Sequence, residues 1–149
     1  MTVPLRYAVA ACQTDLPNPL DRAGMRPNTD RMLAMAEQAV AGAAPFLPVR
    51  LVVFPEFAHA APVAQLLDRL AVPVPNEHTE RLVAKARELD IYIQSGTMIE
   101  ADSAWPGVVF NSTCLIGPTG ILTKYRKVNP WIPFEVLASP HDLEGYRDE

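Results

Sequence analysis

The chain of 149 residues has only two cysteines, Cys12 and Cys114, too few for a disulfide framework. Each sits in an apolar run, which fits reduced, buried thiols and a cytoplasmic setting. Eleven residues precede Cys12, too few for the charged and apolar regions of a lipoprotein leader. No apolar run reaches the length of a bilayer span, so no membrane partner is expected. Positive charge is also scarce. Thirteen Lys and Arg face seventeen Asp and Glu, for a formal charge of -4, and the basic stretch Lys124-Tyr125-Arg126-Lys127 is short. That balance argues against a nucleic-acid partner. Gly-rich phosphate loops of either nucleotide-binding type are missing, so no nucleotide cofactor is expected. The three histidines, His59, His78 and His141, lie far apart without Cys or carboxylates at ligand spacing, which speaks against a metal site. No Gly-x-Ser-x-Gly elbow is present, which removes the usual serine hydrolase.

What remains is an ordinary globular composition, 49% hydrophobic and 20% charged, long enough for one domain with a sizeable core. Fifteen prolines fall in clusters that read as loops between regular elements. Short apolar runs at 5–14, 51–54, 91–99 and 108–116 read as strands. The turn Gly117-Pro118-Thr119-Gly120 leads into a fifth strand, 121–128. Between the first two strands, Asn28 or Thr29 can cap a helix with Asp30 in its first turn and Leu33, Ala36 and Val40 at helical spacing. A short helix from Pro62 carries Leu66, Leu67 and Leu70. A stronger one, 77–89, lines up Leu82, Val83, Ala86 and Leu89 and allows a Glu77–Arg81 surface pair. The order predicts an α/β layered fold whose early strands are buried on both faces.

Three charged residues stand out by position. Glu56 ends the run Leu51-Val52-Val53-Phe54-Pro55. Taken alone it is either an exposed strand-end carboxylate or a general base at the C-terminal edge of a sheet, where α/β proteins bind ligands. Lys127 shares a strand face with Thr123 and Tyr125 by period-two alternation, away from Lys124 and Arg126. It is either turned inward with Tyr125 or a solvated lysine guarding an edge strand. Glu135 closes the proline-stiffened segment Pro130-Trp131-Ile132-Pro133-Phe134 and has the same two readings as Glu56.

Taken in order, these segments resemble the nitrilase superfamily of carbon–nitrogen hydrolases, in its amidase-like branch. Val9-Ala10-Ala11-Cys12-Gln13-Thr14 resembles the family's first strand, and Leu51 to Glu56 its second strand with the catalytic glutamate. Phe110-Asn111-Ser112, the Gly117-to-Gly120 turn and Lys124 to Lys127 resemble the strands that carry its catalytic lysine, and Glu135 matches a second pocket glutamate. The resemblance implies hydrolysis of a non-peptide carbon–nitrogen bond, in a small amide rather than a nitrile, without metal or organic cofactor. It makes Glu56 the base, Lys127 the oxyanion stabiliser and Glu135 the supporting carboxylate.

The resemblance also implies a four-layer αββα sandwich, of which residues 5–149 supply the N-terminal half. The family's nucleophilic cysteine follows a later strand, and neither Cys12 nor Cys114 stands at a strand-to-helix elbow. Two expectations follow. The chain is an incomplete hydrolase, inactive alone, that works as a homo-oligomer or with a complementing chain. Alternatively it is a degenerate, non-catalytic relative that associates with a partner chain.

Overall fold

In the computed structural model, residues 5–15, 18–131 and 137–146 are described. Five strands form one sheet in sequence order, β1 (Ala8–Ala11), β2 (Val49–Val53), β3 (Tyr92–Ala101), β4 (Val109–Gly117) and β5 (Gly120–Arg126). β1, β2 and β3 are parallel, while β4 and β5 return antiparallel as a hairpin around Gly117 and Gly120. The parallel strands need long crossovers. α1 (Arg26–Ala43) supplies the first, and the short α2 (Leu67–Leu70) and α3 (Glu77–Leu89) supply the second.

Both long helices lie on one face of the sheet. Met32 and Ala36 of α1 and Leu82 and Ala86 of α3 meet Val52, Ile93, Cys114 and Ile116 in a single buried cluster. α3 begins as its sequence dictates: Asn76 accepts from the His78 and Thr79 amides, and the Thr79 hydroxyl accepts from the Asn76 amide. This capping box satisfies backbone donors that would otherwise be orphaned. α1 departs from expectation. It starts at Arg26 with Pro27 in its first turn and no side-chain cap, because proline is already set for a helical start and lacks the orphan N–H. Thr29 is thereby free to face inward, with its Oγ1 2.8 Å from His78 Nδ1. Arg81 reaches across to Asp30 of α1 rather than to Glu77.

The second face of the sheet differs from the expectation of full burial. Val9, Tyr92, Leu122 and Tyr125 lie there with 41–57% of their surface exposed. Toward the C-terminal half of β3 the same face is covered, as Ile99 packs with Phe57, Leu67 and Leu137 in a second cluster. Among the described residues no helix is long and apolar enough to cross a membrane.

The helix side holds a buried charge network. Glu100 of β3, 1% exposed, takes hydrogen bonds from Arg126 Nε (2.9 Å) and Nη2 (2.7 Å) and from Lys124 Nζ (2.7 Å), and the Ser112 hydroxyl adds a further donor. Arg126 also pairs with Asp102 and stacks 4.1 Å from the Phe110 ring centre. Burial alone would raise the Glu100 pKa, yet the donors from Arg126, Lys124 and Ser112 outweigh it and hold the carboxyl below its usual range. Removing one member of such a network strands a buried charge. Glu100→Gln should therefore lower the unfolding free energy by about 3 kcal/mol, measured by urea denaturation; a loss below about 1 kcal/mol would mean that the network does not hold β5 in place.

His59 and His78 make a second buried cluster between the loop after β2 and the helices. Both are within 1% of full burial, with ring centres 5.8 Å apart. Asn28 of α1 fixes the loop by donating to the His59 carbonyl at 2.9 Å. Burial first, and the neighbouring His78 second, push the His59 pKa down to about 4 against the opposing pull of the Ser95 backbone. Burial also lowers His78; Glu77 opposes this and Arg81 and Arg26 reinforce it. Both rings therefore accept protons more readily once unfolded. The His59 contribution is intact above pH 6.5 and is lost as pH falls toward 4, and the lowered His78 acts in the same direction. For His59 alone the loss is on the order of 3 kcal/mol. The melting temperature of the wild-type chain should fall steeply between pH 6.5 and 4, and His59→Gln should flatten that decline.

Candidate functional site

β2 ends at Val53, and the chain then turns at Pro55 and Glu56 to pack against the middle of β3. The turn fits there because β3 carries a glycine. A Cβ on Gly96 would come within 2.4 Å of the Pro55 carbonyl oxygen and 2.8 Å of Ala58 Cβ, and its φ of +68° is one that glycine adopts without cost. Next in sequence to Glu56, Phe57 is left-handed at φ 56°, an unusual state for a bulky residue. Its amide donates to Thr97 Oγ1 at 2.8 Å, and its ring enters the second core cluster. The loop that carries Glu56 is thus held on both sides of the carboxylate.

Lys127 comes from the other end of the sheet. Thr113 pairs with Tyr125 and Leu115 with Thr123, so the alternation read from the sequence holds and puts Lys127 on the face away from the helices. Tyr125 does not turn inward with it: the tyrosine is 57% exposed, because that face is open beside it. One step past β5, the Lys127 amide donates to the Asn111 carbonyl at 2.8 Å and so continues the ladder. The side chain then reaches Glu56, with Nζ 2.9 Å from Oε1 across 71 positions of sequence. Asn111 Nδ2 donates to the same oxygen at 2.8 Å. The lysine side chain is 29% exposed and the glutamate 47%, so the pair is partly open to solvent.

Two of the three residues singled out in the sequence are therefore neighbours. Glu135 lies outside the described residues. Asn111 and Thr97 were not singled out, although one signal was available for Asn111. Counting back through the hairpin sets this polar residue of a mostly apolar strand opposite Lys127.

The cysteines are placed differently. Cys114 lies on the helix face, the opposite side of β4 from Asn111, within the first core cluster. Burial first, and then the nearby Glu100, push its thiol up to about 11. The Cys12 amide donates to the Val53 carbonyl at 2.9 Å, and burial raises its thiol as well. Thiols pushed in this direction are poor nucleophiles. No group of three or more metal-ligating side chains occurs among the described residues. Two surface clefts of about 520 and 620 Å³ lie elsewhere, the first bounded by Val74, Val83 and Ile121, the second by Trp105, Arg126 and Tyr146; Glu56 lines neither.

Comparison with known proteins agrees with this architecture. The sequence pattern of the carbon–nitrogen hydrolases matches residues 8–146. Over 81 residues the chain is 33% identical to the omega-amidase NIT2 of Xenopus tropicalis and 32% to that of Homo sapiens, an alignment covering 54% of this chain and 28% of each relative. A nitrilase of Pyrococcus abyssi is 35% identical over 79 residues, with coverage of 52% and 28%. Among solved structures, Saccharomyces cerevisiae Nit3, a member of branch 10 of the nitrilase superfamily, superposes with a TM-score of 0.66 at 21% identity, over 83% of this chain and 45% of that one. An amidase from Nesterenkonia sp. gives 0.64 at 22% identity, over 88% and 46%. The chain thus spans less than half of those solved relatives, and its fold is theirs over that span. With the family pattern running from β1 through β5 to residue 146, the chain belongs to the carbon–nitrogen hydrolase family.

Proposed function

We propose that this chain carries the base and the oxyanion stabiliser of an amidase whose thiol nucleophile is supplied from outside residues 1–149. The observation that carries this reading is the Glu56–Lys127 contact of 2.9 Å at the ends of β2 and β5. A half-exposed ion pair of this kind adds little to stability, so its assembly from segments 71 residues apart is better explained by chemistry. Glu56 accepts the thiol proton as the sulfur attacks the substrate carbonyl carbon. Negative charge then grows on the carbonyl oxygen, and the Lys127 ammonium stabilises it where it develops. As the tetrahedral intermediate collapses, the carbon–nitrogen bond breaks and the leaving nitrogen takes the proton back from Glu56. Glu56 next draws a proton from water as the water oxygen attacks the thioester carbon; the carbon–sulfur bond then breaks, the sulfur takes that proton back from Glu56 to regenerate the thiol, and the acid product leaves and ionises in solvent. Glu135, which the resemblance matches to a second pocket glutamate, is assigned the supporting role.

A small amide is preferred to a nitrile. The segment from Trp131 to Glu135 resembles the amidase branch, and omega-amidases are among the relatives. The nucleophile is placed outside the chain because Cys114 faces the helices and both thiols are pushed up by burial. A complementing chain, a second copy of this one or further sequence would supply it. The half-exposed Val9, Tyr92, Leu122 and Tyr125 favour a second, non-catalytic reading in which this face serves association only.

The test is ammonia release from a panel of small amides, by the 149-residue chain alone and by the chain joined to a downstream segment bearing a cysteine. Activity is expected only from the joined form. There, Glu56→Gln should lower kcat by about 10²–10⁴-fold and Lys127→Met by about 10²–10³-fold. Turnover by the chain alone would overturn the external nucleophile. An unimpaired Glu56→Gln variant would overturn the assigned base, and a joined form that binds a partner without turnover would favour the association reading.

A further inference from the structure

Glu56 is a flexible side chain at a half-exposed position, and an ion pair with lysine does not by itself fix where a carboxylate points. Asn111 has the properties needed to do so. It is 1% exposed, near the start of β4, and is held on both sides by its own pairing with Ile99 of β3 and by the pairing of the adjacent Ser112 with Arg126 of β5. Its side-chain amide reaches Glu56 Oε1 at 2.8 Å, while its backbone carbonyl takes the Lys127 amide at 2.8 Å. One residue therefore touches both members of the pair, through different groups.

We infer that Asn111 is a positioning residue that sets the Glu56 carboxylate against the Lys127 ammonium. The inference rests on the reading of Glu56 and Lys127 as the reactive pair. The chemistry suits asparagine in particular. A neutral N–H donor orients the carboxylate without adding an opposing charge beside it. An aspartate at this place would repel Glu56, and an apolar residue would leave the carboxylate free to rotate into water. The amide also comes from a strand paired on both sides, so its direction is fixed before any substrate arrives. Thr97 and Gly96 anchor the backbone of the loop, whereas Asn111 acts at the end of the side chain.

The experiment is nuclear magnetic resonance of the 149-residue chain, following the Lys127 side-chain ammonium and the Asn111 side-chain amide, assigned with Lys127→Arg and Asn111→Leu. Glu56→Gln, at a half-exposed site, should speed hydrogen exchange of the Lys127 ammonium about tenfold and shift the Asn111 amide protons upfield. Asn111→Leu keeps the number and branching of side-chain heavy atoms and removes the donor; it should speed Lys127 exchange at least threefold. Thr113→Val, which removes the hydrogen bond from Gln94 on the same strand face, should leave Lys127 unchanged. If Glu56→Gln does not alter Lys127, the pair itself is refuted. If it alters Lys127 but not the Asn111 amide, or if Thr113→Val acts as strongly as Asn111→Leu, the pair stands and the positioning role of Asn111 is refuted.

Discussion

Glu100 is a carboxylate with almost no exposure, and the way it is satisfied decides where the candidate site residues lie. Arg126 and Lys124 on β5 and Ser112 on β4 all turn toward it on the helix side of the sheet. Side chains alternate along a strand, so fixing Arg126 toward the helices sends Lys127 to the other face. The same logic on β4 fixes Ser112 toward Glu100 and Asn111 away from it. A register slip of one residue would put Lys127 into the charge network and Arg126 where Lys127 meets Glu56, and would leave Glu100 without its bidentate partner. The buried ion pair is a lock on register more than a source of net stability, since desolvation offsets much of its Coulomb attraction.

The Glu100–Arg126 and Glu56–Lys127 ion pairs therefore have different physical meanings. Glu100–Arg126 is dry, bidentate and backed by the Phe110 ring, so it tolerates few substitutions and moves little. Glu56–Lys127 is half-open and joined through single hydrogen bonds on one carboxylate oxygen. Such a pair can exchange partners with a substrate at small cost, whereas a fully buried pair would first have to be broken in a low-dielectric interior. The buried pair sets the geometry, and the Glu56–Lys127 pair is the more open of the two.

Much of this was legible in the sequence because it depends on local periodicity. α3 was readable at its full length, and the hairpin with its turn at Gly117 to Gly120 was readable from the alternation on either side. The face assignment of Lys127 came from the same alternation. Other features depend on partners distant in the sequence. Glu100 sits among Met98, Ile99 and Ala101 and carries no mark of the arginine that meets it 26 positions later. Asn28 and Thr29 have the chemistry of caps, but Pro27 had already started the helix, and they were used instead to hold His59 and His78. The burial of His59 has no local signature, because it follows from α1 and α3 closing over the loop after β2.

The open face and the candidate site are features of the same side of the sheet. Glu56, Lys127 and Asn111 all belong to the face away from the helices, where Tyr92 and Tyr125 remain half-exposed. A sheet that is covered by helices on one side and carries large apolar groups on the other has not finished burying its surface. Whatever covers that side must pass within reach of Glu56, because the carboxylate stands at its border. A covering element would remove water from the pair and strengthen the field of the ammonium. It is also the natural carrier of a thiol, since Cys114 cannot reach Glu56 without crossing the sheet. Burial of the apolar face and closure over the Glu56–Lys127 pair would then be one event, and on the proposed reading that same event would complete the reactive centre.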